Sequence, residues 1–589
     1  MKDFVKMVLA VMCGLILMGV ICFILFFGMI GSMAAAGNSK PVLPKSGVLK
    51  IDLGKMVIGE QTQEANPLGD LDPTSLLMGG GTDSRDVLGI WDAVQAVNAA
   101  AEDPAVKFIY LRTDDNATGV SDLEELRGAL EHFRAASGKA VVSYMENPGA
   151  GTYYLASVSD KIYMPSYLGL TPQFTGVGTQ MYFLGDLLKR LGVNMQLIRH
   201  GKYKSAGEMY TRGSASPENR EQYQRMIDSM WETLGGAIAE ARGMSVAQLD
   251  EAISGLKLRL PEDFVTYGLA DELLDRDGLE DKLAALAVEE KYEDIKWISL
   301  ADYAAAKLVP SKAKQKIAVI YADGEIIDGN GKSDIAGDRF ATIINKVRAD
   351  STVKAVVLRV NSPGGSVTAS EKIKNALDRL KADKPVVASY GGYAASGGYW
   401  ISNNCEKIFS DAATLTGSIG VFGLVPDFSK TAKDIVHVGV ESVTSHKHGD
   451  MLGGMRPFDQ DEYDFMLTGI EAVYDRFTTI VSEGRGIPKT TVDAIGQGRV
   501  WTGADALKIN LVDEIGTLED AIHYAAVAAG EPDLAQWKVK GYPAPLSTME
   551  QMMEMIGGKK GGDDALISAL RGITRPQVLA RLDNDIEVR

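Results

Sequence analysis

The stretch Gly391-Gly-Tyr-Ala-Ala-Ser396-Gly-Gly-Tyr-Trp400 sets a serine among residues small enough for a peptide backbone to approach it. It follows an apolar, β-branched run at 385–389. A serine at the start of a helix sits at the positive end of the helix dipole, which favours a developing oxyanion. The same position suits a plain helix N-cap, so the local sequence leaves nucleophile and cap both open. A second Gly-rich turn, Arg359-Val-Asn-Ser-Pro-Gly-Gly-Ser366, also joins an apolar run to a helical one. With no Cβ at Gly364 or Gly365, backbone N–H groups can face a ligand and form an oxyanion hole. A tight strand-to-helix turn accounts for Pro-Gly-Gly equally well.

A serine hydroxyl is a weak nucleophile until a base takes its proton. None of the six histidines lies in an evident triad motif. His446 and His448, in the polar loop Ser445-His-Lys-His-Gly-Asp450, are the histidine candidates, although a histidine in such a loop is more often simply solvated. Lys204, in His200-Gly-Lys-Tyr-Lys204-Ser-Ala-Gly-Glu208, is the other base on offer. A lysine base must be neutral, and at a pKa of ~10.4 only about 0.1% is neutral near pH ~7.5. Lowering that pKa by ~3 units costs about 4 kcal/mol, which burial between domains can supply. Such a site is desolvated, and its activity rises towards alkaline pH. Ser418, in Thr416-Gly-Ser-Ile-Gly420, is either a hydroxyl that holds the neutral amine or an ordinary turn serine.

An internal repeat separates these options. Asp103-Pro-Ala-Val-Lys107 and Ser351-Thr-Val-Lys354 each precede an apolar run ending in Arg112 or Arg359. Gly138-Lys-Ala-Val-Val parallels Asp383-Lys-Pro-Val-Val, Gly151-Thr-Tyr-Tyr parallels Gly397-Gly-Tyr-Trp, and Asp160-Lys-Ile-Tyr parallels Glu406-Lys-Ile-Phe. Leu269-Ala-Asp-Glu and Leu511-Val-Asp-Glu continue the series. The first copy runs over 46–300 and the second over 315–540, with a loop-like insertion at about 61–85 in the first and a linker at 308–315. Opposite Ser396 the first copy has Ala150, and opposite Gly364-Gly365 it has Ala117-Thr118. Lys204 falls opposite Asp450. The copy with the serine lacks the lysine, and the copy with the lysine lacks the serine. One site built from both halves fits this reciprocal loss.

Short β-branched runs alternate with amphipathic helical ones in each copy, which predicts βαβ units and a mainly parallel sheet. Residues 7–31 carry no charge, and 25 residues can span a ~30 Å hydrocarbon core. Lys2 and Lys6 precede this segment, so 1–6 are expected on the cytoplasmic side and the bulk of the chain outside. A cleaved signal peptide is the alternative, with Ala34-Ala35-Ala36 at the cut, but its apolar region would be shorter, ~7–15 residues. A net charge of −17 repels phosphate and argues against nucleic acid as a partner. Cys405 is the one cysteine outside the apolar segment, so no intrachain disulfide is expected beyond it. Residues 541–589 read as a tail without an assigned role: a Gly-rich spacer at 557–564, then a short amphipathic piece at 565–582.

At these residues the chain resembles the signal peptide peptidase A (protease IV) family in its long, duplicated form, which belongs by fold with ClpP and the crotonases. The runs Asn361-Ser-Pro-Gly-Gly-Ser366, Ala394-Ala-Ser-Gly-Gly-Tyr-Trp400 and Thr416-Gly-Ser-Ile-Gly420 carry the likeness. It implies an α/β chain of two tandem ClpP/crotonase-like domains after a transmembrane helix. It implies Ser396 as nucleophile, Lys204 as base, Ser418 as the hydroxyl positioning the lysine, and an oxyanion hole from Gly364, Gly365 and the N–H of Gly397. It also implies no metal or cofactor, a homotetrameric bowl in the bacterial inner membrane facing the periplasm, and signal-peptide remnants or other short unfolded peptides as substrates. The chain departs from the family at Gly207-Glu208-Met209, where Val-Glu-Pro is usual, and at Asn510, where Gly is usual. The small lining at Ala394, Ala395, Gly397 and Gly398 predicts small or apolar residues beside the cut. A crotonase-type acyl-CoA enzyme, which needs no nucleophile, and a non-enzymatic membrane scaffold are the competing classes.

Overall fold

The computed structural model describes residues 40–63, 85–166, 174–332, 334–545, 577–581 and 587–588, with Gly14, Leu17, Met18 and Ile21. In the first repeat six strands form a parallel sheet. Their order is Trp297–Ser299, Gly47–Asp52, Val106–Arg112, Val141–Tyr144, Lys161–Pro165, Glu272–Leu274. Val106–Arg112 is buried along most of its length, as a sheet covered on both faces requires. The helix Ile90–Glu102 turns Ile90, Ala93, Val94, Val97 and Ala101 into the core at helical spacing. The helix Val120–Ser137 packs beside it and stops at Gly138, whose φ of 67° is the left-handed cap a glycine adopts freely.

The second repeat is built on the same plan. Its sheet runs Val500–Thr502, Leu415–Gly417, Val386–Ala395, Val353–Ser362, Lys316–Asp323, Lys538–Tyr542. All these neighbours are parallel except the first pair. The strand Val386–Ala395 is ten residues long and serves two neighbours in succession: Ile408–Ser410 along its first half and Leu415–Gly417 at its end. Its far end therefore projects beyond the core of the sheet and delivers residue 396 there. The duplication persists in side-chain contacts. The Tyr153 hydroxyl donates to the Leu269 carbonyl, and the Tyr399 hydroxyl donates to that of Leu511.

The two repeats are interlocked. Ile317, Val319, Tyr321, Val357 and Val387 of the second share one buried cluster with Leu49, Ile51, Ile109 and Leu111 of the first. The helix Pro217–Arg242, capped by the Ser216 hydroxyl, crosses to the second repeat. There Arg225 forks onto Asp505 with two bonds of 2.7 Å, and Ser229 bonds Thr502. Buried Arg359 pairs with Glu60 at 2.7 Å and Glu125 at 2.8 Å, both from the first repeat. A third sheet crosses the junction in the order Ile335–Ala336, Ile326–Ile327, Gly364–Ser366, Gln577–Arg581, Val421–Asp427, Asn194–His200.

The expected anchor at 7–31 lies outside the described residues save for four positions, and no helix among the described residues is long and apolar enough to cross a membrane. Within the expected amphipathic piece, Gln577–Arg581 is a β-strand. Two facing strand edges offer it backbone partners on both sides, a tertiary cause with no local sequence signature.

Candidate active site

Ser396 joins the strand Val386–Ala395 to the helix Gly397–Ser402 at φ 55° and ψ −109°. That backbone region is unfavourable for any residue with a Cβ. The conformation is held because the Ser396 N–H donates to the Gly417 carbonyl and the Ser396 carbonyl accepts from the Trp400 N–H. The side chain makes no helix-capping bond, so the N-cap reading falls away. Its Oγ lies 2.8 Å from Lys204 Nζ instead. The same Nζ is 2.9 Å from Ser418 Oγ and 3.2 Å from the Ser418 carbonyl. All three side chains are within 1% of complete burial.

Pairing between the repeats produces this meeting. The strands Asn194–His200 and Val421–Asp427 run antiparallel with His200 opposite Val421. Lys204 follows the end of one, and Ser418 precedes the start of the other. The loop carrying Lys204 is gripped from both repeats. The Tyr203 N–H donates to the Gln497 carbonyl at 2.9 Å, and Gln222 donates to the Tyr203 carbonyl and the Ser205 hydroxyl. Arg199 donates to the Lys204 carbonyl at 2.7 Å and to buried Glu208 at 3.1 Å. Glu208, inside the segment that departs from the family pattern, thus braces the lysine loop. Gly498 lies against the loop so closely that a Cβ there would stand 2.5 Å from the Lys204 amide nitrogen. Local sequence did not reveal Gly498, Gln497 or Gln222. The run Gly496-Gln-Gly498 was the one visible trace.

The Gly-rich turn stands next to the serine. Gly364 and Gly365 have φ of 105° and 150°, and a Cβ on Gly365 would fall 2.0 Å from the Ile326 carbonyl oxygen. A Cβ on Gly397 would lie 3.1 Å from the Gly365 amide nitrogen. The Gly364-Gly365 turn therefore packs against Gly397, the residue after Ser396, and the Gly364 N–H donates to the Ser362 hydroxyl at 3.2 Å. In the first repeat Thr118 replaces the second glycine, and its hydroxyl accepts the Ile58 N–H at 3.0 Å. The histidine candidates are engaged elsewhere: His446 bonds the Ser445 hydroxyl and His448 bonds Glu462, both at 2.9 Å.

An amine within hydrogen-bond reach of a buried hydroxyl, beside a glycine turn able to present amides, is equipped for acyl transfer through serine. An α/β chain with this arrangement is of the serine peptidase class. The comparisons agree: the model for peptidase family S49 matches residues 134–289 and 378–530, once in each half, and the chain belongs to that family. It is 35% identical to Protease 4 of Haemophilus influenzae over 96% of this chain and 92% of the relative. It is 33% identical to a putative signal peptide peptidase SppA of Enterococcus faecium over 36% of this chain and 62% of the relative. ClpP1 from Listeria monocytogenes is a structural neighbour at 18% identity, with a TM-score of 0.23, covering 34% of this chain and 92% of that one.

Proposed function

We propose that this serine peptidase is a membrane-anchored endopeptidase acting through a Ser396–Lys204 dyad. The observation that carries the reading is Lys204 Nζ held between the hydroxyls of Ser396 and Ser418. Neutral Lys204 takes the proton of Ser396 as Oγ attacks the peptide carbonyl. The amides of Gly397 and of the Gly364-Gly365 turn stabilise the oxyanion. As the C–N bond breaks, Lys204 returns its proton to the leaving amine. Water, deprotonated by Lys204, then releases the acyl group from Ser396. Ser418 positions the amine.

The substrates are signal-peptide remnants and other short unfolded peptides. The small lining at Ala394, Ala395, Gly397 and Gly398 and the name of the Enterococcus faecium relative support this class. The uncharged segment 7–31 anchors the chain in the inner membrane with the rest in the periplasm, and copies assemble as a homotetramer. Assembly is supported by a mismatch between the repeats. The first offers Asn194–His200 to the second, but the corresponding region of the second forms no strand, with Val438, Val440 and Val443 exposed by 52%, 50% and 99%.

A fluorophosphonate probe tests the chemistry. It is expected to label Ser396 in the full chain, and Ser396→Ala is expected to abolish both labelling and peptide hydrolysis. A Ser396→Ala chain that still hydrolyses peptides overturns the reading. Protease added to spheroplasts tests the topology: digestion of the large soluble part is expected, and protection of the whole chain refutes it.

A further inference from the structure

Residues 496–500 pass behind the candidate site, and Arg499 among them reaches the support of each of its three side chains. Its main chain serves Ser418. The Arg499 carbonyl accepts the Ser418 N–H at 2.8 Å, and Ser418 sits at a φ of 49°, a region few residues other than glycine adopt. Its side chain serves the other two. The guanidinium lies between two aromatic rings, with Cζ 4.8 Å from the ring centre of Tyr203 and 4.6 Å from that of Trp501. Tyr203 immediately precedes Lys204. Trp501 packs on Gly417 so closely that a Cβ there would stand 2.9 Å from Trp501 Cδ1, and the Gly417 carbonyl is what holds the Ser396 N–H.

Arginine suits this position because a planar guanidinium can stack on aromatic faces while its edge still donates. Nη1 donates to the Tyr203 hydroxyl at 3.2 Å and pairs with Glu221 at 3.1 Å, and the Tyr203 hydroxyl itself donates to Glu221 at 3.1 Å. The three groups close a ring of bonds. Tyr203 and Glu221 belong to the first repeat and Arg499 to the second, so the ring spans the junction where the lysine crosses. The ion pair alone is worth little, because Glu221 is 55% exposed. The stack and the bond to buried Tyr203 are the stronger part. At the other end of the same tyrosine, buried Gln222 accepts the Val500 N–H at 3.3 Å and donates to the Tyr203 carbonyl at 3.1 Å. Residues 499 and 500 thus grip Tyr203 at both its ring and its backbone.

We propose that Arg499 is a positioning residue for peptide hydrolysis. Acting through Tyr203, Trp501 and the Ser418 backbone, it fixes where Lys204 Nζ stands between the hydroxyls of Ser396 and Ser418. This role rests on the dyad reading. Without the guanidinium, Tyr203 and Trp501 can shift, and the base moves relative to the serine while the peptide-binding surface stays as it was. Turnover then falls and substrate affinity does not.

The test compares the detergent-solubilised full chain with Arg499→Met, which keeps the length of the side chain and loses the fork, and with Glu221→Gln, which leaves the stack in place. Hydrolysis of a fluorogenic peptide gives kcat and KM, and a fluorophosphonate probe gives the rate of labelling at Ser396. In Arg499→Met, kcat is expected to fall about tenfold or more, since a 1 Å misplacement can cost ~10²-fold, with KM within roughly twofold of the parent. Labelling is expected to slow by a similar factor, and Glu221→Gln is expected to lose less. Unchanged kcat, a raised KM at unchanged kcat, or a larger loss in Glu221→Gln than in Arg499→Met overturns the proposal. If Arg499→Met melts below the assay temperature, Arg499→Lys, which keeps a cation but no planar fork, is measured in its place with the same expectation and the same refutation. A parent chain that is not labelled removes the dyad reading and this role with it, whereas a labelled parent whose variants match it in kcat removes this role alone.

Discussion

Ser396 holds a backbone conformation that costs of order 1–3 kcal/mol for a residue with a Cβ. The strain sets its hydroxyl against Lys204 rather than against the helix it precedes. Replacement by glycine should relieve the strain and replacement by alanine should not, while both remove the hydroxyl. Ser396→Gly is accordingly expected to melt higher than Ser396→Ala, by about 1 kcal/mol once the entropy of glycine is deducted. Equal melting temperatures in calorimetry would show that the surroundings impose no strain. Under the dyad reading Lys204→Ala and Ser396→Ala are similarly inactive, each down by ~10⁴-fold or more, and the double variant is scarcely worse. Activity follows the neutral fraction of the lysine, so it rises with pH, and any residual activity of Lys204→Ala lacks that rise. Activity surviving in Lys204→Ala but lost in His446→Ala or His448→Ala would make a histidine the base. Ser396 and Lys204 were legible because each is missing from the opposite repeat. Gly498 was not, because its role exists only where two segments distant in sequence touch.

At the scale of elements, the proposed dyad depends on how the lysine loop is seated. A Cβ at Gly498, which also has a φ of 82°, would collide with Lys204 backbone that Gln497 and Gln222 hold in place. Gly498→Ala is therefore expected to lower kcat by at least tenfold, since a base misplaced by about 1 Å can cost ~10²-fold. Unchanged kcat would mean that the loop is not what fixes Lys204. The helix Val120–Ser137 makes a second junction. Glu124 accepts the Ala412 and Ala413 N–H groups at 2.8 and 2.9 Å, and burial pushes its pKa up to about 7. Burial likewise raises Asp122, Glu125 and Asp411 around Arg359. A carboxyl whose folded pKa lies above its unfolded value keeps protons that the unfolded chain releases. Stability then falls as pH rises from the ordinary carboxylate range near 4.5 through about 7. The melting temperature should therefore drop between pH 5 and 7.5, and Glu124→Gln should make the drop shallower. The alternating strands and helices were legible from apolar runs and spacing. The strand Gln577–Arg581 was not, because five residues acquire β structure from the edges they meet.

For the whole molecule, duplication explains both the shared site and an unsatisfied surface. A single ancestral repeat would present a strand like Asn194–His200 and an edge like Val421–Asp427, and two copies in one chain can join only one such pair internally. The second repeat's counterpart of the joined strand remains over, around residues 437–446, and its valines face solvent. Exposed β-branched residues on an unpaired segment mark a place where another chain can dock. Under the homotetramer proposal, a contact between this segment and a different surface of the next copy would be head-to-tail and would close into a ring when the rotation permits. A charge at the middle of this segment would be desolvated on docking, while in the isolated chain it would stay in water. Val440→Asp is therefore expected to leave the melting temperature of the isolated chain nearly unchanged and to shift sedimentation velocity towards the monomer. A Val440→Asp protein that sediments like the parent places the contact elsewhere. A monomeric parent removes the tetramer from the proposal and leaves the intrachain dyad intact, since Ser396 and Lys204 already meet within one chain.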